Sequence, residues 1–223
     1  GEDVTLEERI RFNATQSLQT NVNRVGELLL GEEDAKRRIA RYIKDLENPE
    51  IKCISIKIST IYSQISSIGF EETVEKLVQR ITPIYAAAKA NPFINSKGEK
   101  QYKLVNFDME EYRDLSITVE VFKRALSLPE FHDLKAGIAL QAYLPDSFEV
   151  LKDIIEFGKK RISEGKSPVR VRVVKGANMD MESFESGERN WNFTPFSKKH
   201  LTDANYKRML TYALQPENIK AVN

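Results

Sequence analysis

Short apolar runs alternate along this chain with longer segments in which apolar residues recur every three or four positions. The short runs predict β-strands, and the longer segments predict amphipathic helices. Regular alternation of the two is typical of βα units around a parallel sheet. The predicted strands cover residues 21–27, 51–60, 104–109, 137–143, 169–176 and a last run at 219–223.

Four of the predicted helices are defined by stripes of apolar residues on one face. The stripes are Ala35, Ile39, Ile43 and Leu46; Val74, Leu77, Val78, Ile81 and Ile84; Val119, Phe122 and Leu126; and Phe148, Leu151, Ile154 and Ile155. Residues 91–103 are rich in Pro, Gly, Asn and Lys, so they predict a loop. A further helix is predicted after residue 202.

Successive side chains of a strand point to opposite faces, so each strand has an apolar face and a more polar one. The polar face carries one polar or charged residue near each carboxyl end: Lys57, Asp108, Gln141 and Arg172. A doubly wound sheet is packed on both faces and tends to be apolar throughout, whereas a barrel has its ligand site at the carboxyl-terminal rim. The pattern therefore predicts an α/β fold, a (β/α)8 TIM-type barrel.

A complete barrel of this type has eight strands and typically about 250 residues. The 223 residues provide five strands and the beginning of a sixth, so we expect an incomplete barrel. We expect residues 1–20 to form a helical or linker segment and residues 21–223 to form the partial barrel, truncated in strand six.

Composition narrows the classes of protein. The net charge of +1 argues against a nucleic-acid-binding protein, which usually carries a strongly basic surface. The single cysteine, Cys53, cannot form an internal disulfide, which favours a reducing compartment. The two histidines show no metal-ligand spacing, so no metal site is predicted, and no apolar run is long enough for a membrane span.

The residues at the predicted rim suit anions and a flat heterocycle, but each has a structural alternative. Lys57 could bind an anion or simply pair with Asp108. Gln141 could hydrogen-bond a heterocycle or satisfy the barrel interior. Gly176 after Arg172 would let a phosphate or a ring approach the backbone.

A hydroxyl and two cations, Ser197, Lys198 and Lys199, precede the last predicted helix. They could bind phosphates, or they could form a solvated charged surface.

Six motifs, in order and over nearly the whole chain, resemble the proline dehydrogenase family, especially the bacterial bifunctional kind. They are NVNRVGE (21–27), SIKIS (55–59), FDMEE (107–111), LQAY (140–143), RVVKGA (172–177) and SKK with TDANY (197–199 and 202–206). The resemblance implies a distorted barrel that holds noncovalent FAD. It also implies oxidation of L-proline to 1-pyrroline-5-carboxylate by hydride transfer from proline C5 to flavin N5, the first step of proline catabolism to glutamate.

The resemblance further implies a quinone electron acceptor, a C-terminal aldehyde dehydrogenase domain in the full chain, and a cytoplasmic protein with at most peripheral membrane contact. By motif, Lys57, Asp108 and Arg172 are implied as catalytic, with Lys57 on the proline carboxylate and Arg172 near flavin N5. Glu27 is implied to help order the substrate site. The implied cofactor-binding residues are Asp108, Met109, Gln141, Arg172, Val174, Gly176, Ala177, Asn178, Ser197, Lys198 and Lys199.

The sequence departs from the family after Ala177, where many relatives have an aromatic pair and this chain has Asn178 and Met179. Two other functions remain open: a Schiff-base aldolase-type barrel using Lys57 or Lys175, and a non-catalytic barrel fragment. Because the family's later strands and its terminal helix with paired arginines would lie beyond residue 223, we expect these 223 residues to be inactive alone.

Overall fold

The computed structural model describes residues 2–24, 29, 31–176, 179–188 and 194–222, which fall into two compact units, Gly1–Phe107 and Asp108–Asn223. The first unit contains helices α1 (Glu2–Thr15), α2 (Glu32–Glu47) and α3 (Phe70–Ala90) and a 3-10 turn at Ile58–Thr60. Its strands are β1 (Asn21–Asn23), β2 (Cys53–Ile56), β3 (Phe93–Ile94), β4 (Lys100–Gln101) and β5 (Leu104–Phe107).

The second unit contains strands β6 (Gly137–Gln141) and β7 (Arg170–Val174). Its helices are α4 (Leu115–Ser127), α5 (Ser147–Ser163), α6 (Met179–Glu188), α7 (Lys199–Ala213) and the short α8 (Pro216–Ile219). Two 3-10 turns, Tyr112–Asp114 and Pro129–Phe131, flank α4. All of the predicted stripe residues of α4 and α5 are buried, as the periodicity indicates.

The strands confirm the predicted parallel α/β organisation. In the first unit β2 lies between β1 and β5, parallel to both, with Ile54 opposite Val22 and Val105. In the second unit β6 pairs in parallel with β7, from Gly137 opposite Arg170 to Gln141 opposite Val174. The described residues thus provide five parallel strands, fewer than the eight of a closed barrel.

Side-chain alternation in the first unit produces a polar face, as predicted. Asn21 donates from Nδ2 to Ser55 Oγ at 2.8 Å, and the Cys53 thiol donates to Asn21 Oδ1 at 3.2 Å. Asn106 donates from Nδ2 to Cys53 Sγ at 3.3 Å, so hydrogen bonds connect all three strands on this face. Ile54, Ile56, Val105 and Phe107 are buried on the opposite face.

The predicted strands extend too far at several ends. The second one stops at Ile56, and Lys57 leads instead into a 3-10 turn whose Thr60 hydroxyl donates to the Lys57 carbonyl at 2.7 Å. The predicted loop at 91–103 is wrong in part, because it contains the antiparallel β3–β4 hairpin. Asn95 Oδ1 accepts the backbone N–H groups of Lys97 and Glu99 and so stabilises the hairpin turn.

The predicted strand at 219–223 is also wrong at its start. Ile219 is the last residue of α8, which begins with Pro216 at its first position, and residues 220–221 form a turn. Proline is favoured at this position because a helix leaves its first N–H groups unbonded. The Ala221 carbonyl accepts the backbone N–H of Val169 at 3.1 Å, so this segment is fixed beside the residue that precedes β7.

A buried arginine near the carboxyl end of α5 joins the connections around it. Arg161 is 2% exposed, and its guanidinium donates to five backbone carbonyls: those of Leu126, Phe131, His132, Leu134 and Ser167. A planar guanidinium carries five N–H donors, which suits this set of acceptors. Arg161 therefore connects the end of α4 and the turn after it to the segment that leads into β7.

We expect Arg161→Met to lower the free energy of unfolding by about 3–5 kcal/mol, because several buried carbonyls would lose a charged donor. Chemical denaturation followed by circular dichroism measures the change. The matched control is Lys160→Met at the neighbouring exposed position, which should change stability by less than about 0.5 kcal/mol. Equal effects of the two substitutions would contradict this role of Arg161.

Candidate active site

Three of the predicted polar residues lie together in the second unit: Asp108 directly after β5, Gln141 at the end of β6 and Arg172 in the middle of β7. Gln141, the last residue of β6, is 3% exposed. Its Nε2 donates to the Met109 carbonyl at 3.2 Å and to the Glu110 carbonyl at 3.3 Å. The side chain therefore fixes the segment that follows Asp108 against the end of β6.

The acceptor end of the same amide has no hydrogen-bond partner among the described residues, although Gln141 Oε1 is buried. A flipped amide would place this oxygen against two carbonyl oxygens, so the hydrogen-bond pattern settles the orientation. A buried acceptor without a donor costs about 1–3 kcal/mol. The arrangement therefore suits a ligand that presents an N–H to Gln141.

Arg172 of β7 forms an ion pair with Asp108 through its Nη2. The Asp108 side chain is 12% exposed and that of Arg172 is 46% exposed, so the arginine also reaches open space. Strand alternation places Arg172 on the same face as Arg170, and away from Val171 and Val173. The pair provides a fixed carboxylate and a guanidinium that remains accessible.

The backbone after β7 runs against Tyr143. The N–H groups of Ala142 and Tyr143 donate to the Val174 and Lys175 carbonyls at 2.7 and 2.8 Å. Gly176 then adopts a φ of +126°, and a Cβ atom there would lie only 2.2 Å from the Tyr143 ring. Glycine is therefore required at 176 both by the backbone conformation and by the packed ring.

The amino-terminal end of α7 is attached to the same tyrosine, because Phe196 N–H donates to the Tyr143 carbonyl at 2.8 Å. Ser197 and Lys198 are exposed just before the helix begins at Lys199. Hydrogen bonds from Lys175 and Lys199 lower the pKa of Asp203 to about 2, so both cations have a carboxylate partner.

Two further side chains at this site, Tyr112 and Glu182, were not predicted from the sequence. The Tyr112 backbone N–H donates to Glu182 Oε1 at 2.7 Å, and the Tyr143 hydroxyl reaches the same oxygen at 3.5 Å. A hydrogen bond to Asp146 raises the pKa of Tyr112 to about 12. Burial raises the pKa of Tyr143, and Glu182 adds to that increase.

The other predicted site residues lie either in the first unit or outside the described residues. Lys57 belongs to the first unit, where it is half-buried directly after β2. Its predicted pairing with Asp108 stays a prediction. Glu27, Ala177 and Asn178 lie outside the described residues.

Among the residues that the structure describes, no three His, Cys, Asp or Glu side chains are grouped so that they could hold a metal ion. None of the helices in the described part of the chain is both long and apolar enough to cross a membrane.

Comparison with known families decides the relationship of this chain. The sequence model of the family described as "Proline dehydrogenase" matches residues 6–223. The chain belongs to the proline dehydrogenase family. No curated protein sequence matches it.

Solved structures of proline utilization A (PutA) resemble this member of the proline dehydrogenase family. The protein from Corynebacterium freiburgense is 35% identical with a TM-score of 0.89, and the match covers 97% of this chain and 22% of that one. The protein from Bdellovibrio bacteriovorus is 32% identical with a TM-score of 0.83, and the match covers 97% of this chain and 23% of that one. The protein from Bradyrhizobium japonicum is 24% identical with a TM-score of 0.74, and the match covers 88% of this chain and 20% of that one. At this identity the match supports the fold only. The chain thus spans less than a quarter of the length of these relatives.

We expect Gly176→Ala to lower the free energy of unfolding by about 2–4 kcal/mol, because the methyl group would meet the Tyr143 ring in addition to the strained φ. Thermal and chemical denaturation measure the loss. Gly165→Ala is the matched control, since Gly165 also has a positive φ but open space around it, and it should cost only about 1 kcal/mol. A loss at position 176 no larger than that at 165 would show that the contact with Tyr143 is unimportant.

Proposed function

We propose that this chain provides the flavin-holding part of an FAD-dependent L-proline dehydrogenase, which oxidises L-proline to 1-pyrroline-5-carboxylate. Membership of the proline dehydrogenase family supports the reaction class. The observation that carries the cofactor assignment is the buried Oε1 of Gln141 beside the Asp108–Arg172 pair, because this oxygen has no hydrogen-bond partner among the residues that the structure describes.

The residues present fit a flavin. An isoalloxazine ring has an edge of alternating donors and acceptors, so one of its N–H groups would satisfy Gln141 Oε1. The backbone at 174–176 and the Met109 segment are each fixed by hydrogen bonds, and Gly176 keeps side-chain bulk away from that backbone. Met109, Val174 and Gly176 would line the ring together with Ala177 and Asn178.

FAD, when bound, supplies the acceptor for the hydride that leaves proline C5. The task of the protein is to hold the two rings and to stabilise charge. Arg172 is half exposed and fixed by Asp108, so its guanidinium would stabilise negative charge that develops on a neighbouring group. Asp108 keeps that guanidinium oriented without burying it.

The amino-terminal end of α7 suits the phosphates of the same cofactor. Exposed N–H groups and the helix dipole favour anions at such an end, and Ser197 and Lys198 are exposed beside it. Lys199 is occupied by Asp203 in this structure and would contact a phosphate only by leaving that carboxylate. Ser197 and Lys198 are therefore the stronger phosphate contacts of the three.

The family resemblance supports roles for Lys57 and Glu27 on the substrate. An ammonium and a carboxylate about 4 Å apart attract by about 4 kcal/mol at an effective dielectric of about 20, before the cost of desolvation. Lys57 would therefore orient the proline carboxylate but would need further groups to hold it. That these 223 residues are inactive alone stays a prediction.

The electrons would pass to a quinone, and the full chain would carry an aldehyde dehydrogenase domain as in the bifunctional members of the family. We place the enzyme in the cytoplasm with at most peripheral membrane contact. The aldolase alternative is weaker at Lys175, because that side chain is half exposed and engaged by Asp203 rather than enclosed in a pocket for a carbonyl substrate. An aldolase that uses Lys57 stays an alternative.

We expect Arg172→Met in the full-length protein to lower proline-dependent dye reduction by about 100-fold or more, because a preorganised charge at the reacting group would be lost. Arg170→Met, on the same face of the same strand, is the matched control and should retain activity near that of the wild type. Steady-state assays, with the flavin content of each variant measured by absorption, provide the comparison. Unchanged spectrum and turnover in Arg172→Met would refute the assignment of Arg172.

The PutA of Bdellovibrio bacteriovorus has been solved after inactivation by N-propargylglycine. If the present protein has the same active site, N-propargylglycine should cause a time-dependent loss of its proline-dependent dye reduction. Excess L-proline should slow the loss, since both compounds would compete for one site. Residual activity measured over the time of incubation tests this, and full activity after prolonged incubation would count against a shared site.

A further inference from the structure

The carboxylate of Glu182 connects two parts of the second unit that lie far apart in sequence. Glu182 is on α6, the helix that follows the β7 segment, and it accepts the backbone N–H of Tyr112 at 2.7 Å. A carboxylate that accepts a backbone N–H makes a charge-assisted hydrogen bond, roughly twice as strong as a neutral one. The bond joins residues 70 positions apart.

The segment that receives this bond is the one that follows Asp108. Its Met109 and Glu110 carbonyls are fixed by Gln141, and its Tyr112 N–H is fixed by Glu182. The Tyr112 hydroxyl adds a third attachment, to Asp146 Oδ2 at 2.6 Å. Residues 109–112 are therefore held from both β6 and α6, and Asp108 immediately precedes them.

Polar contacts matter for attaching α6 to the rest of the second unit, because the apolar side chains described in this helix are largely exposed. Phe184, the largest apolar side chain described in this helix, is 63% exposed, and Met179 is 38% exposed. Glu182 also lies within reach of the Tyr143 hydroxyl at 3.5 Å, a longer and weaker contact.

We propose that Glu182 is a positioning residue that fastens α6 to residues 109–112. Through this bond Glu182 keeps Asp108 and its partner Arg172 in place. It also keeps them close to the backbone at 174–176, the segment of the chain before α6. The expected effect on flavin and proline rests on the proposed function. The attachment of α6 to residues 109–112 does not, because it can be measured without flavin or proline.

The test uses Glu182→Ala in the full-length protein and has one readout that does not depend on activity. Hydrogen–deuterium exchange should become faster in α6 and in residues 109–112 together, because each loses the other's support. Alanine is a better helix former than glutamate, so faster exchange in α6 cannot arise from lower helix propensity. The matched control is Asp180→Ala, an exposed acid in the same first turn of α6 that loses the same attraction to the helix dipole and should leave residues 109–112 unchanged.

The second readout is functional. In Glu182→Ala we expect the dissociation constant of flavin or the KM for proline to rise about tenfold, with kcat changed by less, because loss of positioning weakens binding. Glu182→Gln retains one acceptor oxygen and should lie between the wild type and Glu182→Ala. It also serves as the test variant if Glu182→Ala does not fold.

The outcomes separate this inference from the proposed function. If exchange in residues 109–112 is the same in Glu182→Ala and Asp180→Ala, the fastening role is wrong whatever the enzyme does. An effect on α6 alone would also overturn it, because the two regions would not be coupled. If the wild-type protein binds no flavin and does not respond to proline, the proposed function fails, while the exchange result still decides the role of Glu182.

Discussion

The buried amide of Gln141 determines how the rest of the second unit is arranged at this site. Its two donors are used on the carbonyls of Met109 and Glu110, which brings the segment after Asp108 to the end of β6. Its acceptor remains buried and unpartnered among the described residues. Because a buried acceptor is costly to leave unpaired, this one requirement connects the local fold to the binding of a ligand.

The other features of the site build on that constraint. With the segment fixed, Asp108 can hold Arg172 while the guanidinium stays accessible. Tyr143, two residues after Gln141, then organises the neighbouring backbone: its N–H binds the Lys175 carbonyl, its carbonyl binds Phe196 N–H, and its ring requires glycine at 176. The end of β6 therefore positions both the turn after β7 and the start of α7.

The alternation of short apolar runs with amphipathic segments predicted the parallel sheet. The alternation of polar and apolar side chains along the strands predicted the polar face in the first unit. It also predicted that Asp108, Gln141 and Arg172 lie near strand ends. Gln141 ends β6 and Asp108 directly follows β5, but Arg172 is the middle residue of β7. The structure brings these three residues together, and their roles remain predictions. One error occurs where a short apolar run fits a strand and a helix equally well. The run at 219–223 is an example, and Pro216 was the signal that favoured a helix start.

The contacts of Glu182 and Arg161 could not be predicted from the sequence. Glu182 lies on a helix with no clear apolar stripe, and its partner is a backbone N–H, which leaves no trace in residue type. Arg161 resembles any charged residue near a helix end, but its partners are five backbone carbonyls, four of which lie 27 to 35 positions away in the chain. Both sets of contacts join residues far apart in sequence, and local sequence patterns do not encode such contacts.

The central claim is that this chain holds a flavin that L-proline reduces. The most direct measurement is the visible absorption of the full-length, flavin-loaded protein after anaerobic mixing with L-proline. We expect loss of the oxidised flavin absorption with L-proline and its recovery when a quinone is added. A protein that purifies without flavin and cannot be loaded with FAD, or a flavin whose absorption L-proline leaves unchanged, would contradict it.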